Sequence, residues 1–139
     1  MSLALDSSVL VASLDSSEPF HKECDALLLR GNISIYVHAL VETFSTLTGG
    51  RLRYRLSPSE ASRLLRESIL PCVTATTLDA GELMSVMEEC EARGIRGGAL
   101  YDFLHLAAAR KVGARKLYTL NLVDFRAFTS PGDPRIVHP

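Results

Sequence analysis

Net charge is nearly absent from this 139-residue chain, where 15 Lys and Arg against 16 Asp and Glu leave −1. The balance excludes a histone-like, purely electrostatic nucleic-acid binder, yet leaves room for a protein that reads nucleic acid through one local basic face. Cysteine is scarce: Cys24, Cys72 and Cys90 are odd in number, far apart and set in apolar or helical contexts. They read as reduced core thiols instead of a disulfide framework or zinc knuckle, and a reducing, cytoplasmic setting is expected. Long hydrophobic runs are also missing. No segment approaches the roughly 18 uncharged apolar residues of a membrane span. The first residues, Met1-Ser2-Leu3-Ala4-Leu5-Asp6, carry no basic leader, so a soluble protein that is not exported is expected. There is no low-complexity tract, no internal repeat and no paired His or Cys spacing of zinc type.

What is present is a composition of 47% hydrophobic and 22% charged residues, enough to bury one substantial core in one domain spanning residues 1–139. Leu3–Leu5 reads as a short buried strand that turns at Asp6-Ser7-Ser8 into a helix. Phe20, Cys24, Leu27 and Leu28 mark one face of a second helix that Gly31 ends. Ile33–Val37 alternates as a strand, and a helix from about Ala39 to Thr48 closes at Gly49-Gly50. Ser57-Pro58-Ser59-Glu60 opens a helix predicted to reach about Ser68, before Pro71. Cys72–Thr76 reads as a third strand, 79–93 as a helix, 99–112 as an alanine- and leucine-rich helix stopped by Gly113, and Lys116–Leu120 as a fourth strand. Strands alternating with helices predict an α/β fold: a parallel sheet of four to five strands with helices on both faces. In such sheets ligands gather at the carboxyl ends of the strands.

Four acids stand in apolar company: Asp6 after Leu3-Ala4-Leu5, Glu42 in His38-Ala39-Leu40-Val41-Glu42-Thr43-Phe44, Asp102 in Leu100-Tyr101-Asp102-Phe103-Leu104, and Asp124 before Phe125. Half-buried carboxylates are costly, and converging ones repel each other, unless a cation compensates them. An oxygen-only set suits Mg²⁺ or Mn²⁺, and a pair of such ions can acidify a water and stabilise the oxygen leaving a phosphodiester. Each acid also has a plainer role. Asp6 would cap the following helix, Glu42 would serve a helix dipole, and Asp124 would begin a short surface helix capped by Asn121. Asp102 has no such role, since a structural carboxylate there needs a buried cationic partner. His105 lies one turn after Asp102 and reads as a packing residue, while His21, His38 and His138 offer no ligand spacing.

The order and spacing of Leu5-Asp6-Ser7-Ser8, Ala39-Leu40-Val41-Glu42, Tyr101-Asp102-Phe103-Leu104-His105-Leu106-Ala107-Ala108-Ala109 and Thr119-Leu120-Asn121-Leu122-Val123-Asp124-Phe125 resemble a PIN domain, specifically its VapC toxin subfamily, over nearly the entire chain. The resemblance implies a Rossmann-like PIN fold. It also implies an endoribonuclease dependent on Mg²⁺ or Mn²⁺, in which Asp6, Glu42 and Asp102 hold the metal and Asp124 serves a second ion or a water. Ser8 would support Asp6, and Thr119 and Asn121 would close the pocket. Some members carry an acid where this chain has Asn121, which leaves the fourth-ligand position open between Asn121 and Asp124. The resemblance further implies a toxin silenced by a cognate antitoxin and commonly a homodimer.

Arg51, Arg53 and Arg55 alternate around Leu52 and Tyr54, and Arg93 and Arg96 lead into the glycines before Asp102. Solvated charge is their ordinary reading; guiding an RNA strand by its phosphates, with an aromatic to stack a base, is the functional one. Phe20–Leu29 and Leu64-Leu65 hold more apolar positions than one small sheet needs, which suggests core packing or a surface for an antitoxin or a second copy. A phospho-receiver would need paired acids at the first strand and an Asp closing a middle strand. A phosphatase with an Asp nucleophile would need a second Asp where Ser8 stands. A PIN fold used for RNA processing, or one that only binds RNA or protein, remains the alternative within the resemblance.

Overall fold

The computed structural model describes residues 2–50 and 55–139. Five short strands, β1 (Leu3–Leu5), β2 (Ile33–Tyr36), β3 (Val73–Thr76), β4 (Lys116–Tyr118) and β5 (Arg135–Val137), make one sheet in the order β3-β2-β1-β4-β5. Every pairing is parallel: Leu5 lies opposite Ile35 and Tyr118 on either side of β1. Parallel neighbours require crossovers, and helices supply them: α1 (Ser7–Leu14), α2 (His21–Leu28), α3 (His38–Thr48), α4 (Pro58–Leu64), α5 (Ala80–Arg93), α6 (Ala99–Lys111) and α7 (Leu122–Phe128).

Alternation along the strands divides the core in two. Leu3, Leu5, Ile33, Ile35 and Tyr118 point to the layer holding α1, α2 and α3, with Val9, Leu10, Cys24, Leu27 and Ala39. Ala4, Leu117 and Ile136 point to the opposite layer, against Phe103, Leu106, Phe125 and Phe128 of α6 and α7. The expected two-sided α/β architecture is what forms. Cys24 is buried, Cys72 and Cys90 are partly so, and all three are free thiols. Among the described residues no helix is long and apolar enough to cross a membrane.

Three local features differ from the sequence reading. The fifth strand had no assigned position; it is the tripeptide Arg135-Ile136-Val137, framed by Gly132 and Pro134 and held by β4 alone. The helix at Ser57 does not run regularly to Ser68. After Leu64 it widens into a π turn over Leu65–Ile69, in which the Leu70 N–H reaches back to the Leu65 carbonyl, and it tightens to a 3₁₀ turn at Leu70–Cys72. Pro71, lacking an N–H, cannot continue the regular ladder. Finally, α3 begins at His38, so Glu42 lies one turn in and not within the first turn.

The excess apolar positions foreseen on α2 and at Leu64-Leu65 are mostly core. Cys24, Leu27, Leu28 and Leu65 are buried, and only Phe20 (42% exposed) and Leu29 (76% exposed) stay open.

Candidate functional site

The chain walks outward from β1 to β2 and β3, then returns to place β4 on the other side of β1. The carboxyl ends of β1 and β4 therefore flank the point where the strand order reverses, the position at which an open parallel sheet leaves a crevice. Asp6 follows β1 and Thr119 follows β4. Asp6 is 2% exposed and caps α1, its Oδ1 accepting the Val9 N–H at 3.3 Å and the Ser8 hydroxyl at 2.6 Å. Oδ2 accepts the Thr119 hydroxyl at 2.6 Å. Both hydroxyls also accept a backbone N–H from the chain after β4, Leu120 to Ser8 at 3.0 Å and Asn121 to Thr119 at 2.9 Å. Ser8 and Thr119 thus lock the two strand ends together around one carboxylate. Burial pushes the Asp6 carboxyl above its ordinary range, and the charge of His105 with the donors Ser8, Thr119 and Val9 offsets only part of that.

Glu42 is brought to the same edge by α3. Its Oε1 lies 2.7 Å from His105 Nε2 and 3.5 Å from His38 Nδ1, and its Oε2 accepts the Ser7 hydroxyl at 3.4 Å. Burial pushes this carboxyl up, but the hydrogen bond and charge of His105, backed by His38, outweigh it and hold it below its ordinary range. His105 is itself buried. Desolvation pulls its pKa down, while the bond to Glu42 and the charges of Asp6, Glu42 and Asp102 push it up and prevail. Its Nδ1 is buried without a hydrogen-bond partner among the described residues.

His105, His38 and Ser7 were not among the expected site residues. His105 follows Asp102 by three positions and His38 precedes Glu42 by four, spacings that put each pair on one helical face. That spacing was the available signal.

Asp102, in the first turn of α6, is half-buried. Its carboxyl is pushed from 3.8 up to about 6, first by burial and then by the negative charge of Asp6, with Asp124 and Glu42 adding to it and His105 opposing. The four acids expected to converge are therefore one electrostatic neighbourhood. Asp124 is exposed on the first turn of α7 and shares with Asp102 the wall of a cleft of about 410 Å³, closed by Gly94, Gly98 and Phe128. Asn121 holds the N-cap position of α7 without a side-chain cap bond, and lines a separate groove of about 310 Å³ with Ser7, Ser8 and Thr46.

The expected arginines divide. Arg93 donates to Asp133 at 2.6 Å and lies 3.4 Å from Glu89, its side chain 15% exposed. With Arg110 it packs over the Phe103 ring, 5.0 and 5.4 Å from the centroid. Its charge is paired within that network, and the residue lines the same cleft wall as Asp102 and Asp124. Arg55 and Arg96 are exposed. Arg51 and Arg53 lie outside the described residues.

An oxygen-only donor set in which burial and then mutual repulsion raise one carboxyl suits a hard divalent cation. Asp6, Asp102 and Asp124 fit that demand in kind. Among the described residues, however, no three His, Cys, Asp or Glu side chains already surround a common ion position. Glu42 is turned to His105 in this arrangement.

Comparison with known proteins agrees with this architecture. The PIN domain profile matches residues 3–128. Ribonuclease VapC27 of Mycobacterium tuberculosis is 34% identical over 107 residues, covering 77% of this chain and 76% of that protein. The crystal structure of M. tuberculosis VapC20, a sarcin-ricin loop cleaving toxin, superposes with a TM-score of 0.71 at 20% identity over 96% of this chain and all of the other. A toxin-antitoxin complex from Klebsiella pneumoniae superposes at 0.68 and 18% identity, covering 99% and 98% of the two chains. The last two share the fold. The profile match and the relationship to VapC27 place this chain in the PIN domain family, among its VapC-type members.

Proposed function

We propose that this protein is an endoribonuclease dependent on Mg²⁺ or Mn²⁺, and the toxin of a toxin–antitoxin pair. The observation that carries the reading is the buried Asp6 at the strand-order reversal, beside Asp102, whose carboxyl feels the charges of Asp6, Asp124 and Glu42. The family relationship to a ribonuclease supports RNA as substrate. Asp6 and Asp102 would hold the cation, with Asp124 or Glu42 completing the set. A bound ion would supply positive charge against the reacting phosphate and acidify a water.

The chain's own groups do the rest. Ser8 and Thr119 fix Asp6 in one rotamer, and His105 holds Glu42 ionised and oriented. The clefts beside Asp102 and beside Ser7 give an RNA strand a path past the acids, with Arg96 and Arg55 as exposed cations for its phosphates. Arg51 and Arg53 belong to the same proposal by sequence alone. The antitoxin partner is supported by the fold shared with a toxin-antitoxin complex. A homodimer acting in the cytoplasm is part of the proposal, and light scattering on the isolated chain tests the dimer.

The deciding experiment is incubation of purified protein with single-stranded and structured RNA. Cleavage is expected with Mg²⁺ or Mn²⁺, none in excess chelator, and none by Asp6→Asn or Asp102→Asn protein that remains folded. Undiminished cleavage in chelator or by these variants would overturn the assignment. Metal-independent RNA binding without cleavage would favour the binding-only reading.

A further inference from the structure

Three rings form a ladder beside the acids. Tyr36, at the end of β2, stands edge-on to His105 with centroids 5.7 Å apart and planes at 86°. His38, the first residue of α3, lies offset and tilted by 29° from Tyr36, with centroids 6.1 Å apart. Tyr101, in the first turn of α6, lies offset and near-parallel to His38, with centroids 6.2 Å apart and planes at 16°. Exposure rises outward along the ladder, from 9% for Tyr36 to 44% for the His38 side chain and 55% for Tyr101. A tyrosine ring aligned by two rings beneath it, yet more than half open, is held in place without being buried.

We propose that Tyr101 is a stacking platform for one unpaired base of the RNA strand, adding a nucleobase as the next rung outside His38. The proposal rests on the ribonuclease reading above.

Placement favours a nucleotide as the occupant. Tyr101 directly precedes Asp102 in the chain, and His38 Nδ1 is 3.5 Å from Glu42 Oε1, so both outer rings border the acids. A base on Tyr101 therefore sets its own phosphate beside the carboxylates, within one nucleotide step. The segment leading into α6 is compact: the N–H groups of Ala99, Leu100 and Tyr101 donate to the carbonyls of Arg96, Gly97 and Gly98. The backbone of exposed Arg96 is thereby tied to the start of the helix that carries Tyr101, which puts a cation for a phosphate on the same short segment as a face for a base. Single-stranded RNA is recognised by that combination, and stacking of this kind tolerates any base. An aliphatic docking surface would not need parallel ring planes.

The test uses the full-length protein with Mg²⁺ and a single-stranded RNA spanning a mapped cleavage site. Tyr101→Ala should raise KM about 10- to 100-fold with kcat within about threefold, while Tyr101→Phe, which keeps the ring, stays within about twofold of wild type. Removing the stacked base from the RNA should raise the wild-type KM by a similar factor and leave the Tyr101→Ala KM unchanged. A 2-aminopurine at that position should be quenched on binding wild type and Tyr101→Phe but not Tyr101→Ala. An unchanged KM for Tyr101→Ala overturns the platform while leaving the nuclease intact. So does a change in solution mass for that variant with KM unaltered, which would make the ring a subunit contact. Absence of any RNA cleavage by wild type with Mg²⁺ overturns the ribonuclease reading itself, and the platform with it.

Discussion

Asp102 carries the clearest electrostatic consequence of the site. Because its carboxyl titrates at about 6 in the folded chain against 3.8 ordinarily, the folded state binds a proton more tightly than the unfolded one. Raising the pH from about 4 through 6 removes that proton and lowers stability, and the penalty is complete above the folded value. Asp102→Asn has no charge to repel Asp6. In chelator at pH 7.5 it should melt roughly 2–5 °C above wild type, the gap closing near pH 4. A variant that melts at or below wild type at pH 7.5 would mean the carboxylate is not repelled. The partner of Glu42 gives a second expectation of opposite sign. His105→Ala strips a half-buried carboxylate of its main donor, so the urea midpoint at pH 7 should fall by an amount equivalent to about 1 kcal/mol, measured by circular dichroism. Asp6 and Asp102 were legible as acids in apolar runs. That His105 faces Glu42 was not, because the partner lies 63 residues away on a helix of the opposite layer, and only the way α3 and α6 meet at one end of the sheet sets the two opposite each other.

At the scale of an element, what was legible is what local chemistry dictates. The Asp79 side chain accepts the Glu82 N–H at 2.8 Å and the Glu82 side chain accepts the Asp79 N–H at 2.9 Å, a reciprocal cap, and Gly94 closes α5 with φ of +70°. Asp79→Ala should lower stability by about 1 kcal/mol, read as a shifted urea midpoint with unchanged slope, while RNA cleavage persists. The elements that escaped sequence reading lack such local causes. Three residues with two prolines close by give β5 no period of its own, and its existence depends on pairing with β4. The widening after Leu64 runs into Pro71 and the 3₁₀ turn that leads to Val73, which pairs with Ile33 at the edge of the sheet.

For the whole molecule, alternation of strand and helix announced a parallel sheet, but not its order, and it is the order that makes the site. A sheet running 1-2-3-4-5 would have separated Asp6 from Thr119. Because the acids repel in the folded state, a cation that they bind should stabilise that state by mass action, about 2.7 kcal/mol at a hundredfold excess over its dissociation constant. Titration with Mg²⁺ in a thermal melt should raise the melting temperature of wild type and leave Asp6→Asn nearly still. A flat response of wild type to millimolar ion would argue that the carboxylates do not act together.

The bond from Thr119 to Asp6 spans 113 positions of sequence, and this separation has a meaning in time. During synthesis the first strand leaves the ribosome early and waits at what will be the middle of the sheet, one flank unpaired, until the fourth strand emerges. A nascent or prematurely terminated polypeptide ending before Thr119 holds Asp6, Glu42 and Asp102 yet lacks the hydroxyl that ties the end of the first strand to the end of the fourth. On the proposed ribonuclease reading, the site is complete only once the fourth strand has emerged.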